Sequence, residues 1–257
     1  YCMTSANDAV NKQAVASAFS RAAGSYDAAA ALQRDVGERL LGMGSAHPGE
    51  RLLDAGCGTG YFSRLWRERG KQVTALDLAP GMLDVARQRQ AAHHYLLGDI
   101  EQVPLPDAAM DICFSSLVVQ WCSDLPAALA ELYRVTRPGG AILFSTLAAG
   151  SLQELGDAWQ QVDGERHVNA FLPLAQIRAA CAGYRHELVT ELRTLNYPDV
   201  MTLMRSLKGI GATHLHQGRE GGLMSRDRLA ALQAAYPCRR GQFPLSYHLA
   251  YGVIYRD

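Results

Sequence analysis

Asp54-Ala55-Gly56-Cys57-Gly58-Thr59-Gly60 follows the apolar run Arg51-Leu52-Leu53 and precedes the helix-like stretch Tyr61–Trp66. A short buried strand thus turns through three glycines into a helix. Glycine there permits positive φ and lets backbone approach a ligand closely. The dinucleotide-binding fingerprint is G-x-G-x-x-G, but here the third glycine arrives one position early and position 61 is Tyr. A G-x-G-x-G loop behind a strand-end acid suits a ligand without a pyrophosphate, and Asp54 supplies an acceptor for an ammonium group.

Outward from this loop, apolar runs and helical patterns alternate. Gln72–Asp77 reads as the second strand, and Pro80 opens a helix where its missing N–H costs nothing. His94–Leu97, Met110–Phe114 and Ala141–Ser145 read as strands three to five. A helix is expected over Leu125–Val135, and Arg137-Pro138-Gly139-Gly140 is expected as a turn into strand five. Strands alternating with helices imply a parallel sheet covered on both faces, with ligands beyond the strands' carboxyl ends. Those ends carry Asp54, Asp77, Asp99 and Ser115. Asp77 is placed to accept both hydroxyls of a ribose. Asp99, followed by apolar Ile100, is placed to accept from an exocyclic amine beside a sandwiched base. Each acid alone reads equally as a solvated carboxylate or helix cap; in order at three strand ends they match an amine, a diol and an amino-purine.

Past residue 150 the alternation weakens. Helices are expected at about 151–162 and 173–182, a strand near 186–196, a helix-rich stretch over 198–236 and a closing strand at Ser246–Tyr255. Tyr247, Leu249, Tyr251, Val253 and Tyr255 fall on one face of that last strand, a row expected to pack on a helix. Before residue 46, Val36, Leu40 and Leu41 belong to an apolar helix face.

Composition limits the alternatives. The chain has 257 residues, 25 basic and 25 acidic side chains, and 48% hydrophobic residues. That excludes disorder and nucleic-acid binding by bulk charge. No apolar run reaches membrane-spanning length. The first eight residues lack the basic-then-apolar layout of a signal peptide. Six cysteines without CxxC spacing suggest buried, reduced thiols, so a cytoplasmic protein is expected. His214 and His216 have no third ligand nearby, and no metal site is expected. Residues 201–257 hold eight basic and three acidic side chains, so the tail is basic although the total is neutral.

The Asp54–Gly60 string resembles the first motif of class I S-adenosylmethionine-dependent methyltransferases, with Asp77 and Asp99 at the later motifs. The resemblance covers about residues 50–147. It implies an α/β fold: a Rossmann-like three-layer sandwich around a mostly parallel seven-stranded sheet with an antiparallel last strand. The implied organisation is an N-terminal helical segment, 1–45, covering the cofactor site, then a methyltransferase domain, 46–257, with a helical insertion at about 197–240. The implied cofactor contacts are Asp54, Gly56, Gly58, Gly60, Asp77, Leu78, Met82, Asp99, Ile100, Ser115 and Arg21.

Further strings resemble one branch over essentially the whole chain. They are Asn11-Lys12-Gln13 through Arg21 to Tyr26-Asp27, Val118-Val119-Gln120-Trp121-Cys122, Met204-Arg205 through Lys208 and Gly211 to Thr213-His214, and Pro244 to Tyr247-His248. They are similar to the malonyl-acyl carrier protein O-methyltransferases of biotin synthesis. The resemblance implies methylation of the free carboxylate of a malonyl thioester on acyl carrier protein or coenzyme A, with no nucleic-acid or membrane partner. Substrate contacts are expected from Tyr26, Gln120, Trp121, Arg205, Lys208 and His214. A carboxylate is already anionic at neutral pH, so no catalytic base is expected. Arg205 is the candidate to hold that carboxylate or the carrier, against a plain helix-end cation. Arg219, Arg226, Arg228, Arg239 and Arg240 are candidates for the rim that meets an acidic carrier. Three readings compete: a class I methyltransferase acting on a quinone precursor or other small acid, a nicotinamide oxidoreductase, and a non-catalytic cofactor-binding regulator.

Overall fold

The computed structural model describes residues 12, 13, 16, 31–209 and 224–257, the side chains of 208 and 209 excepted. Helix α1 (Ala31–Gly44) leads into β1 (Arg51–Ala55), α2 (Tyr61–Glu68), β2 (Gln72–Asp77), α3 (Pro80–Gln88) and β3 (His94–Leu97). Then follow β4 (Met110–Ser116), a single 3₁₀ turn (Val119–Trp121), α4 (Leu125–Val135), β5 (Thr136–Leu147), α5 (Gln153–Asp163) and α6 (Leu174–Cys181). The chain closes with β6 (Arg185–Tyr197), α7 (Val200–Gly209), α8 (Arg226–Ala235) and β7 (Phe243–Tyr255).

The seven strands form one sheet in the order β3-β2-β1-β4-β5-β7-β6. Neighbours from β3 to β5 pair in parallel, while β7 runs antiparallel to both β5 and β6. The order reverses at β1, where β2 and β4 flank it. That reversal opens a crevice at the carboxyl ends of the first strands.

Period-two alternation builds a core on each face. Leu52, Ile112, Phe114, Leu143, Tyr251 and Val253 belong to one apolar cluster, and Leu53, Cys113, Ile142, Phe144, Ala250 and Ile254 to the other. Helix α1 buries Val36, Leu40 and Leu41 in the first cluster, and Trp66 of α2 meets Phe114 edge-on at 5.7 Å. The tyrosine row of β7 lies on this same face, with Tyr247 and Tyr251 buried. Helix starts are marked by local chemistry: Asp124 caps α4 by accepting from the Ala127 N–H at 3.1 Å, and Pro80 begins α3.

One expectation needs correction. Arg137-Pro138-Gly139-Gly140 is no separate turn but the irregular start of β5, which pairs with β4 at Met110–Thr136 and again, after a register shift, at Ile112–Ala141. Gly139 adopts φ 85° there and its N–H bonds to the Arg256 carbonyl, so the chain end just past β7 holds the segment as strand. Among the described residues no helix is long and apolar enough to cross a membrane.

Candidate cofactor and substrate sites

The glycine loop turns from β1 into α2 with φ of 80° at Gly56, 56° at Gly58 and 91° at Gly60. The Gly56 and Cys57 N–H groups both donate to the Leu76 carbonyl, at 2.7 and 2.9 Å, tying the loop to the end of β2. A Cβ at Gly56 would lie 2.3 Å from the Val118 side chain. A Cβ at Gly60 would lie 2.3 Å from that of Ala91. Gly56 therefore keeps the loop against the segment after β4, and Gly60 lets α2 sit close to the α3–β3 connection.

Asp77 stands at the centre. One carboxylate oxygen accepts from the Gly58 N–H and the other from the Ala79 N–H, both at 2.8 Å. Burial pushes its carboxyl above the ordinary aspartate value, against the pull of those N–H groups. Asp99, beyond β3, accepts from the Lys12 ammonium, which also bonds to Glu101, and from the Glu101 N–H at 2.9 Å. Burial lowers the Lys12 pKa, but the two carboxylates outweigh it and leave it raised.

Around these groups runs a cleft of about 760 Å³, its open mouth included. Of the expected cofactor contacts, Gly56, Gly58, Asp77, Leu78, Met82, Asp99 and Ile100 line it together, as does Trp121, expected on the substrate side. Asp54, Gly60 and Ser115 are not in the lining. Asp54 is 2% exposed and accepts from the Ser63 hydroxyl at 2.7 Å; burial and the neighbouring Asp77 charge lift its pKa to about 7. Ser115 donates to the Ala55 carbonyl at 2.9 Å, joining the ends of β4 and β1. Arg21, Tyr26 and His214 lie outside the described residues.

Sequence reasoning missed several walls: Lys12, Ala16, Leu117, Val118 and Cys122. Lys12 stands in the Asn11-Lys12-Gln13 string, a signal of membership without a role. Leu117 carries φ 54°, unusual for a branched residue, and its N–H bonds to both the carbonyl and hydroxyl oxygens of Ser145 at 3.0 Å. The chain leaving β4 is thereby bent so that Leu117 and Trp121 wall the cleft and also a second cavity.

That second cavity is bounded by α1 (Ala31, Leu32, Gln33), Gln120, Leu147, Leu195 and Tyr197 of β6, Ser206 of α7 and Tyr247 of β7. Gln120 is fixed by donating to the Leu117 carbonyl at 2.8 Å and accepting from the Thr146 hydroxyl at 3.4 Å. Arg205 is exposed on α7, and its neighbour Ser206 reaches the cavity instead. Lys208 lies in α7, its side chain outside the described set. Arg226, Arg228, Arg239 and Arg240 are exposed, Arg228 pairing with Asp163 at 3.0 Å, while Arg219 lies outside the described residues.

The cleft's chemistry fits S-adenosylmethionine: two carboxylates able to accept from polar groups, bare backbone at Gly56 and Gly58, and apolar walls from Met82, Ile100, Leu78 and Ala79. Comparisons with known proteins agree. Residues 53–144 match the family model described as a methyltransferase domain. A malonyl-[acyl-carrier protein] O-methyltransferase of Serratia marcescens is 95% identical over 99% of this chain and 100% of its own length. That of Yersinia pestis is 68% identical, covering 96% of this chain and 93% of its own. A solved structure of a putative methyltransferase from Bacillus halodurans shares the fold, with a TM-score of 0.62 over 86% of this chain and 98% of that one at 16% identity. By these relatives and over nearly its whole length, the chain belongs to the malonyl-[acyl-carrier protein] O-methyltransferase family.

Proposed function

We propose that this chain methylates the free carboxylate of a malonyl thioester carried on acyl carrier protein. The product, a malonyl methyl ester, primes synthesis of the pimeloyl precursor of biotin. What carries this reading is the 95% identity to the Serratia marcescens enzyme across that enzyme's entire length.

S-adenosylmethionine, when bound, supplies an electrophilic methyl group on a sulfonium. Asp77 receives the ribose hydroxyls, Asp99 the adenine amine, and Met82 and Ile100 flank the base. Asp54 balances the ammonium of the methionine part from beneath the loop. The Gly56 and Gly58 backbone lets the ligand approach closely. A covering role for the N-terminal segment, 1–45, whose sequence includes Arg21 and Tyr26, is supported by the pairing of Lys12 with Asp99 and Glu101. Residues 46–257 form the methyltransferase domain, with 197–240 as its helical insertion. Gln120 and Trp121 stand on the acceptor side. A carboxylate is already the nucleophile, so the protein's contribution is orientation and removal of water rather than proton transfer.

The exposed Arg205 serves carrier docking better than carboxylate binding, since it is absent from the cavity lining. Lys208 and His214 join it, with the basic tail facing an acidic carrier. The five free cysteines among the described residues suit a reducing, cytoplasmic setting. The test is the rate of S-adenosylhomocysteine formation with malonyl-carrier, malonyl-coenzyme A and acetyl-carrier. Turnover with the malonyl thioesters alone supports the reading. Turnover only with a quinone precursor or another small acid would overturn it.

A further inference from the structure

The second cavity holds two phenols without a partner among the described residues. Tyr247 is 3% exposed and Tyr197 half-buried, and both line it. Neither hydroxyl makes a hydrogen bond to any described residue, although the nearby Tyr236 and Tyr251 hydroxyls bond at 2.5 Å to the Pro244 carbonyl and at 2.9 Å to Glu191. Both phenols line the one cavity, so each is placed to donate to an acceptor bound there. The pairing of β6 with β7 sets Arg193 opposite Tyr247, so Tyr197, four residues on, shares that face of the sheet. Burial holds the Tyr247 phenol well above its ordinary pKa, so it stays a donor at any working pH.

The described lining of this cavity carries no charged side chain; its polar members are Gln33, Gln120, Tyr197, Ser206 and Tyr247. Leu117 and Trp121 separate it from the cofactor cleft and line both. A guanidinium would grip a carboxylate by two charge-assisted bonds and draw electron density from the oxygen that must attack. Neutral donors bond to it more weakly while the apolar walls keep water away, which leaves the nucleophile reactive.

We propose that this cavity is the acyl-acceptor pocket and that the Tyr197 and Tyr247 hydroxyls, as neutral donors, bind the malonyl carboxylate. The inference rests on the function proposed above and locates the acceptor group within it.

Tyr247→Phe, Tyr197→Phe and the double variant remove only the hydroxyls and keep the rings that pack the cavity. The readouts are kcat/KM with malonyl-carrier and, independently of turnover, the dissociation constants of malonyl- and acetyl-pantetheine measured with S-adenosylhomocysteine bound. Each single variant is expected to lose about tenfold in kcat/KM and in malonyl-pantetheine affinity, and the double variant more. Acetyl-pantetheine, which has no carboxylate, and S-adenosylhomocysteine are expected to bind within about twofold of wild type. A double variant that still binds malonyl-pantetheine that closely to wild type overturns the assignment. Equal losses on malonyl and acetyl ligands also overturn it, because the phenols would then merely shape the cavity. A wild-type enzyme inactive on malonyl-carrier would bring down the proposed function as well, and so is distinct from failure of the pocket alone.

Discussion

Asp54 is buried without a cation in contact among the described residues, and replacing it with asparagine tests why it is there. Burial first, then the negative charge of Asp77, raises its pKa from about 3.8 to about 7, while the Ser63 hydroxyl bond pulls the other way. Between those two values the native chain holds a proton that the unfolded chain has released. Stability from this group is therefore present at low pH and falls as pH rises through the window, by ~1.4 kcal/mol per unit. Over about three units the loss is about 4 kcal/mol. The asparagine keeps an oxygen for the Ser63 hydroxyl and never ionises, so Asp54→Asn removes that slope. Thermal unfolding followed by circular dichroism should give nearly equal midpoints for the two proteins at about pH 4. By about pH 8 the variant should lead by roughly 8–16 °C, at ~2–4 °C per kcal/mol for a chain of this size. Groups titrating alike in both proteins cancel in the difference. The variant should also bind S-adenosylmethionine about tenfold more weakly or worse, since the carboxylate proposed to balance the ammonium is gone. A gap that does not grow with pH, or a variant less stable than wild type at the alkaline end, would refute the reasoning.

Asp77→Ala removes the acceptor for the Gly58 and Ala79 N–H groups together with the proposed ribose contact. Calorimetric titration should show cofactor affinity down by about 1–3 kcal/mol, and unchanged affinity would contradict the ribose assignment. Gly56→Ala must accommodate a Cβ 2.3 Å from Val118 at φ 80°. It should cost roughly 1–3 kcal/mol in chemical denaturation and shrink the cleft, with the cofactor KM rising. Lys12→Met breaks partly exposed ion pairs, so stability should change by under ~1 kcal/mol; the cofactor KM should nonetheless rise severalfold, and no change would remove Lys12 from the cover. Docking through the basic tail predicts a KM for malonyl-carrier that climbs between low and high ionic strength while the KM for the cofactor stays level.

The sheet was legible because its signals are local. Buried strands such as Leu52–Ala55 and Met110–Phe114 are continuous apolar runs broken by a single acid each, and turn residues bound them. The glycine loop and Asp77, Asp99 and Ile100 were readable for the same reason: chain order alone puts strand ends side by side in a parallel sheet. The misread Arg137–Gly140 segment carries turn chemistry, and only its pairing across to β4 and Arg256 makes it strand. Contacts between distant segments left no local trace. Lys12 and Asp99 are 87 residues apart, and nothing in either neighbourhood announces the pair. The second cavity draws on α1, the segment after β4, β6, α7 and β7, so in the sequence Tyr247 reads as one of a packed aromatic row. On α7 one position decides the outcome: successive residues point ~100° apart, so Ser206 meets the cavity and Arg205 meets solvent.

The most direct test of the account is intact-mass analysis of malonyl-acyl carrier protein after incubation with the enzyme and S-adenosylmethionine. The account predicts a gain of one methyl group on the malonyl carrier and none on the acetyl carrier. An unchanged malonyl carrier, with S-adenosylmethionine bound by the enzyme in a parallel titration, would contradict it.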